Sequence, residues 1–159
     1  MNESSKDRGT LIICETIEDC KIIGEQLQQR YRSSAIKLYT MNNMNQEQNI
    51  EIIYPGEIFV ATNLAGRGTD IKTDEIEKHG GLHVIVTFMP LNKRVEKQAF
   101  GRTSRQGKRG TSQKILNATN LVHYKEFDAQ KITELRDKIE AEILNEFENS
   151  ELKIINLKD

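Results

Sequence analysis

The sequence predicts an α/β fold whose central sheet is mainly parallel and carries helices on both faces. Three observations predict it. Short β-branched and aliphatic runs recur at Thr10–Cys14, Ile36–Tyr39, Ile58–Ala61 and Leu82–Phe88, each bounded by polar residues or glycine. Most are largely apolar, as strands buried on both faces must be, while Ile36–Tyr39 partly alternates. Between them lie stretches with helical spacing, and strand–helix alternation builds crossover units rather than hairpins.

The elements follow in order. Met1 to Arg8 is polar, so residues 1–9 are expected to be a disordered N-terminal segment. Thr10–Cys14 is a central strand. Thr16 to Tyr31 places Ile17, Cys20, Ile23 or Gly24, Leu27 and Tyr31 on helical spacing, and Thr16 with Asp19 forms a variant capping box. Ile36–Tyr39 is a second strand. Met41 to Ile53 reads as a polar, weakly helical connector ending before Pro55. The Ile58–Ala61 strand runs into a glycine-bearing loop. Asp74 to His79 is a short helix or turn that ends at Gly80–Gly81, and Leu82–Phe88 is the next buried strand. A helix after Asn92 carries Arg94, Gln98, Arg102 and Arg105. Thr111 to Leu116 alternates, as an outer strand would. After Asp128 comes a long amphipathic helix with Ile132, Leu135, Ile139, Ile143 and Phe147 on one stripe. Leu152 to Leu157 is a frayed tail or an added strand. The expected division is 1–9, then an α/β domain over 10–125, then a C-terminal helix and tail over 126–159.

With 159 residues, one domain with a sizeable core is expected. Charged residues make up 30 % and the net charge is −1, so nothing global demands nucleic acid or an anionic membrane. The charge is uneven, however. Lys93, Arg94, Lys97, Arg102, Arg105, Lys108 and Arg109 are opposed within that stretch by Glu96 alone. Cys14 and Cys20 have no second pair to complete a zinc site, and His79, His83 and His123 show no metal or triad spacing, so no metal site is expected. No apolar run approaches the length of a membrane span.

Two stretches carry chemistry. In Gln98–Gly107, helical spacing would put Gln98, Arg102 and Arg105 on one stripe. Two guanidiniums a turn apart suit phosphate oxygens that gain charge during transfer, or are simply a solvated basic face. In Val60–Ile71, the strand gives way to Thr62, Asn63, Gly66, Arg67, Gly68 and Asp70. Ligands of open α/β sheets sit beyond strand carboxyl ends, the glycines permit close backbone approach, and Asp70 offers an acceptor for a ribose hydroxyl or an arginine.

Thr62–Ile71, Gly80–Ile85 and Gln98–Gly107 together resemble the second nucleotide-binding fold of SecA-type preprotein translocase ATPases, relatives of superfamily 2 helicases. The resemblance covers roughly residues 10 to 116, and its most specific run is Ala65-Gly66-Arg67-Gly68-Thr69-Asp70-Ile71. It implies a RecA-like three-layer fold, with Arg102 and Arg105 as catalytic contacts to the γ-phosphate. It implies that Gly66, Gly68, Asp70 and Gln98 lie on the nucleotide side, Gln98 touching phosphate or tethering the arginines. Thr62 and Asn63 are polymer contacts or structural caps, and Arg67 is a coupling residue or a surface ion pair. The chain departs from the family at Ser104, where glycine is usual. It departs again at Lys108–Arg109, where an acid and proline are usual, and at Phe88–Asn92, which replaces a polar, histidine-containing segment. The family's Asn-Ala-Lys block is also unmatched after Tyr39.

Neither a phosphate-cradling Gly-x-x-x-x-Gly-Lys-[Ser/Thr] loop nor its acidic partner pair is present. The resemblance therefore implies half of a cleft. ATP with Mg²⁺ would be bound mainly by a Walker-containing partner domain of the same protein. This half would not hydrolyse ATP alone, and hydrolysis would be coupled to moving an unfolded preprotein through a membrane channel. A cytoplasmic location, or a peripheral one at a membrane, is expected. The alternatives are the C-terminal domain of a nucleic-acid helicase and a non-catalytic interaction module.

Overall fold

The computed structural model describes residues 7–31, 35–39, 51–63, 71–103, 107–117 and 128–156. They fall into two compact units. One lies within Met1–Met89 and Lys97–Leu116, the other within Pro90–Glu96 and Asn117–Asp159.

The first unit is built on a five-stranded sheet. Its strands are β1 (Thr10–Cys14), β2 (Ile36–Tyr39), β4 (Ile58–Thr62), β6 (Leu82–Val86) and β7 (Gly110–Lys114), in the order β2-β4-β1-β6-β7. Every pairing is parallel. The first strand in the chain is therefore the central one. Because side chains alternate across a strand, β1 serves two cores. Leu11 and Ile13 join Phe59, Ala61, Leu82, Val84 and Val86 on one face. Ile12 and Cys14 join Val60 and Ile36 on the other. This is why β1 and β4 are apolar without alternation.

Helix α1 (Ile17–Arg30) covers the second face through Cys20, with Ile23 and Leu27 partly buried there. Its start is the predicted capping box. The Thr16 hydroxyl oxygen accepts from the Asp19 N–H at 3.1 Å, and the Asp19 carboxylate accepts from the Thr16 N–H at 3.2 Å. Helix α2 (Lys93–Phe100) supplies Ala99 and Phe100 to the opposite face, so the sheet is covered on both sides. The fold is α/β and RecA-like, as expected.

Two expectations are corrected. Within the expected helical connector, Glu51–Ile52 is a strand (β3) that pairs in parallel with β5 (Ile71–Lys72), and pairing outweighs weak local preference; residues 40–50 lie outside the described residues. The short helix or turn expected before Gly80 is there, as a one-turn 3₁₀ helix over Glu77–His79. Strand β7 does not alternate, because it is the sheet's edge and Thr111, Ser112 and Gln113 are all exposed.

The second unit holds the beginning of α2 and the long helix α3 (Ala129–Asn156). Asn92 caps α2 by accepting the Val95 N–H at 2.9 Å, and Asp128 caps α3 by accepting the Lys131 N–H at 2.8 Å. Arg136 binds Glu96 at 2.6 Å and the Pro90 carbonyl at 3.3 Å, while the Lys93 N–H donates to Glu140. Of the predicted stripe, Ile132 is buried, whereas Ile139, Ile143 and Phe147 are exposed. Helix α3 continues to Asn156, so most of the uncertain tail is helical. Among the described residues, no helix is long and apolar enough to cross a membrane.

Candidate functional site

Parallel strands share one carboxyl edge, and the register places Cys14 beside Thr62 on it. Thr62 is buried at 5 % exposure, and the Asn63 N–H donates to the Cys14 carbonyl at 3.2 Å. The Thr87 N–H and hydroxyl both donate to the Ile13 carbonyl. Beneath this edge the Cys14 and Cys20 thiols hydrogen-bond each other. That bond favours the thiolate of Cys14 and pushes Cys20 well above the ordinary thiol range.

The arginine segment lies elsewhere. Helix α2 ends at Phe100, before Arg102, which breaks the expected helical stripe. The chain tightens at Gly101, whose N–H bonds the Lys97 carbonyl at 2.8 Å. Arg102 and Thr103 then donate to carbonyls three residues back, Ala99 and Phe100. Gln98 is left exposed while Arg102 is buried at 8 % exposure. Thr103 abuts the opposite edge of the sheet. A Cβ on Gly110 would meet the Thr103 carbonyl oxygen at 2.6 Å and that of Leu82 at 2.9 Å, and these glycine and leucine residues begin β7 and β6. Thr62 and the arginine segment thus occupy opposite edges, separated by five strand rises, or about 16 Å. The rule that ligands gather at carboxyl ends does not reach Arg102.

At the amino edge the arginine segment is fastened to the chain that follows β5. The Lys108 ammonium binds Asp74 at 2.7 Å and holds that carboxyl below its usual range. The Arg109 N–H donates to both oxygens of Glu77, at 3.1 and 3.0 Å. Gly81, at φ +73°, lies under the same residue. A Cβ there would sit 1.8 Å from the Arg109 carbonyl oxygen. Arg8 braces the far side by donating to the carbonyls of Gly80 and Gly81. His83 lies 2.7 Å from the Thr111 hydroxyl, and burial followed by the Arg8 charge lowers its pKa.

Of the predicted site, Thr62, Asn63, Gln98 and Arg102 are placed as above, while Gly66, Arg67, Gly68, Asp70 and Arg105 lie outside the described residues. The flanks of both blocks share a core nonetheless. Ile71, next after Asp70, and Phe100, two before Arg102, pack against one core cluster. Sequence reasoning missed Asp74, Glu77, Gly81 and Lys108 as supports. The only sequence signal was that acids at 74, 75 and 77 answer bases at 108 and 109. Among the described residues, no three His, Cys, Asp or Glu side chains are grouped to hold a metal ion.

Residues 1–107 match the model of the helicase conserved C-terminal domain. The chain is 34 % identical over 140 residues to protein translocase subunit SecA of Syntrophus aciditrophicus, an alignment covering 85 % of the chain and 16 % of that protein. It is 44 % identical over 98 residues to SecA 3 of Magnetococcus marinus, covering 58 % of the chain and 15 % of the relative. A third relative, SecA of Helicobacter pylori strain G27, is 33 % identical over 166 residues, covering 95 % and 19 %. The chain thus spans less than a fifth of the length of these relatives. Among solved structures, it is similar to the E. coli DEAD-box protein SrmB, bound there to regulator of ribonuclease activity A. The TM-score is 0.51 at 18 % identity, covering 76 % of this chain and 68 % of that one, a likeness of fold.

Proposed function

Because this chain belongs to the family of helicase conserved C-terminal domains, in the form carried by SecA, we propose that it is the second motor domain of a SecA-like ATPase. In this reading it completes an ATP site whose Walker residues lie on a partner domain. The observation that carries the proposal is the shared anchoring of the two blocks: Ile71 and Phe100 sit on one cluster, and Glu77 and Asp74 reach across to Arg109 and Lys108.

The residues fit a terminal phosphate rather than a whole nucleotide. Arg102 is a permanently charged group held in a largely dry position, where its field is screened less than on the surface. ATP with Mg²⁺, held mainly by the partner domain, would supply the phosphoanhydride to be cleaved. Toward it Arg102 and Arg105 would present guanidinium N–H groups, donors suited to developing negative charge. Gly66 and Gly68 would allow close backbone approach. Asp70 and Gln98 would orient the arginines or the ribose, and Thr62, Asn63 and Arg67 would link the opposite edge to the translocated polymer. In that polymer's role we place an unfolded preprotein at a membrane channel, with the motor cytoplasmic or peripheral at the membrane.

Two measurements test this. An immunoblot of the source cells should reveal a polypeptide several times larger than the 18.3 kDa of this chain; a band at that mass would leave the site without its Walker half. In the larger polypeptide, Arg105→Ala should lower ATP turnover by more than about tenfold with circular dichroism unchanged. Unaltered turnover would remove the arginine assignment. Salt-sensitive RNA binding that stimulates turnover would transfer the reading to a nucleic-acid helicase.

A further inference from the structure

We infer that Glu77 and Gly81 are positioning residues for the arginine segment, gripping the Arg109 peptide from two sides; this rests on the nucleotide-site reading above. Arg109 closes the stretch that begins at Arg102, and one end of that stretch is already seated, with Arg102 and Thr103 in a tight turn against the amino ends of β6 and β7. The other end runs into β7, which starts at Gly110 beside Leu82, so the last peptide before that strand is where a further hold would fix the stretch. Glu77 supplies that hold. Its half-buried carboxylate accepts the Arg109 N–H with both oxygens, a charge-assisted bond to backbone that no change of the Arg109 side chain can remove. Gly81 supplies the floor, since its missing side chain lets the two backbones touch. The Lys108–Asp74 pair lies alongside, but its carboxylate is solvent-exposed, and pairs of that kind add little. Glu77 and Gly81 come five and nine residues after β5 ends at Lys72, so the grip also links the arginine segment to the chain that leaves β5.

The test uses Glu77→Ala and Glu77→Gln in the 159-residue chain, read by amide hydrogen exchange, Arg102 Nε–H relaxation and thermal midpoint. Glu77→Ala should speed exchange of the Arg109 amide by about tenfold, the loss of one charge-assisted hydrogen bond. It should also mobilise the Arg102 Nε–H and lower the thermal midpoint by roughly 2 to 4 °C. Glu77→Gln keeps an acceptor and should stay near wild type. In the larger ATPase, Glu77→Ala should then lower kcat with KM for ATP unchanged. Faster Arg109 exchange with an unmoved Arg102 would overturn the inference, as would a fall in thermal midpoint shared equally by both variants. Wild-type turnover in Glu77→Ala beside an impaired Arg105→Ala would sink the grip alone. An unimpaired Arg105→Ala would sink the nucleotide reading, and the exchange data would still decide whether Glu77 holds Arg102.

Discussion

Gly81 and Gly107 share nearly the same backbone angle, φ +73° and +76°, yet their surroundings set different costs for a methyl group. At Gly107 nothing among the described residues lies within 4 Å, so Gly107→Ala should cost only the left-handed penalty of about 1 kcal/mol. At Gly81 the obstacle is a backbone oxygen that cannot rotate away. Gly81→Ala should cost about 3 kcal/mol or more, read as a lowered urea midpoint. His83 makes a second case. Its pKa is lowered in the folded chain, so the unfolded chain binds the proton more tightly and acid favours unfolding. Stability should fall as the pH drops through 6.5, the ordinary value, toward the depressed one, and His83→Gln should flatten that slope in denaturant titrations. The Gly80–Gly81 pair was legible as punctuation. Its partner was not, because nothing local in the sequence marks Arg109 as the residue that lies on it.

Elements with local signals came close to their predicted bounds, although the strand expected to reach Phe88 ends at Val86. Strand β1 and helix α1 were legible because β-branching, the Thr16–Asp19 spacing and apolar periodicity act within a few residues. Thr16→Ala should cost about 1 kcal/mol in chemical denaturation, the usual worth of such a cap. Strands β3 and β5 escaped because two residues cannot display a period, and each exists only through the other. The end of α2 escaped for a different reason. Gln98, Arg102 and Arg105 keep helical spacing in the sequence, but the turn at Gly101 and the seat of Thr103 against β7 override it. The candidate site was therefore legible as a set of residues and not as a shape: nothing in the spacing revealed that Thr62 and Arg102 lie at opposite edges.

For the molecule as a whole, each unit has its own polar fastening. In the second unit, Arg136 and Glu96 are nearly dry, with side chains 10 % and 13 % exposed. Glu96→Ala should cost about 3 kcal/mol in the thermal unfolding of that unit, because it leaves the guanidinium with less compensation. The parallel sheet of the first unit has a further consequence, in time rather than space. Strand β1 is made first yet sits in the middle, and its second neighbour, β6, is complete only at Val86. At ribosomal rates the 72 residues from Cys14 to Val86 take roughly 4 to 14 seconds, during which an apolar strand has an open side. With no hairpin to pair it early, the nascent chain is exposed to wrong partners for that whole interval, and a chaperone present during synthesis should raise the folded yield more than the same chaperone added afterwards.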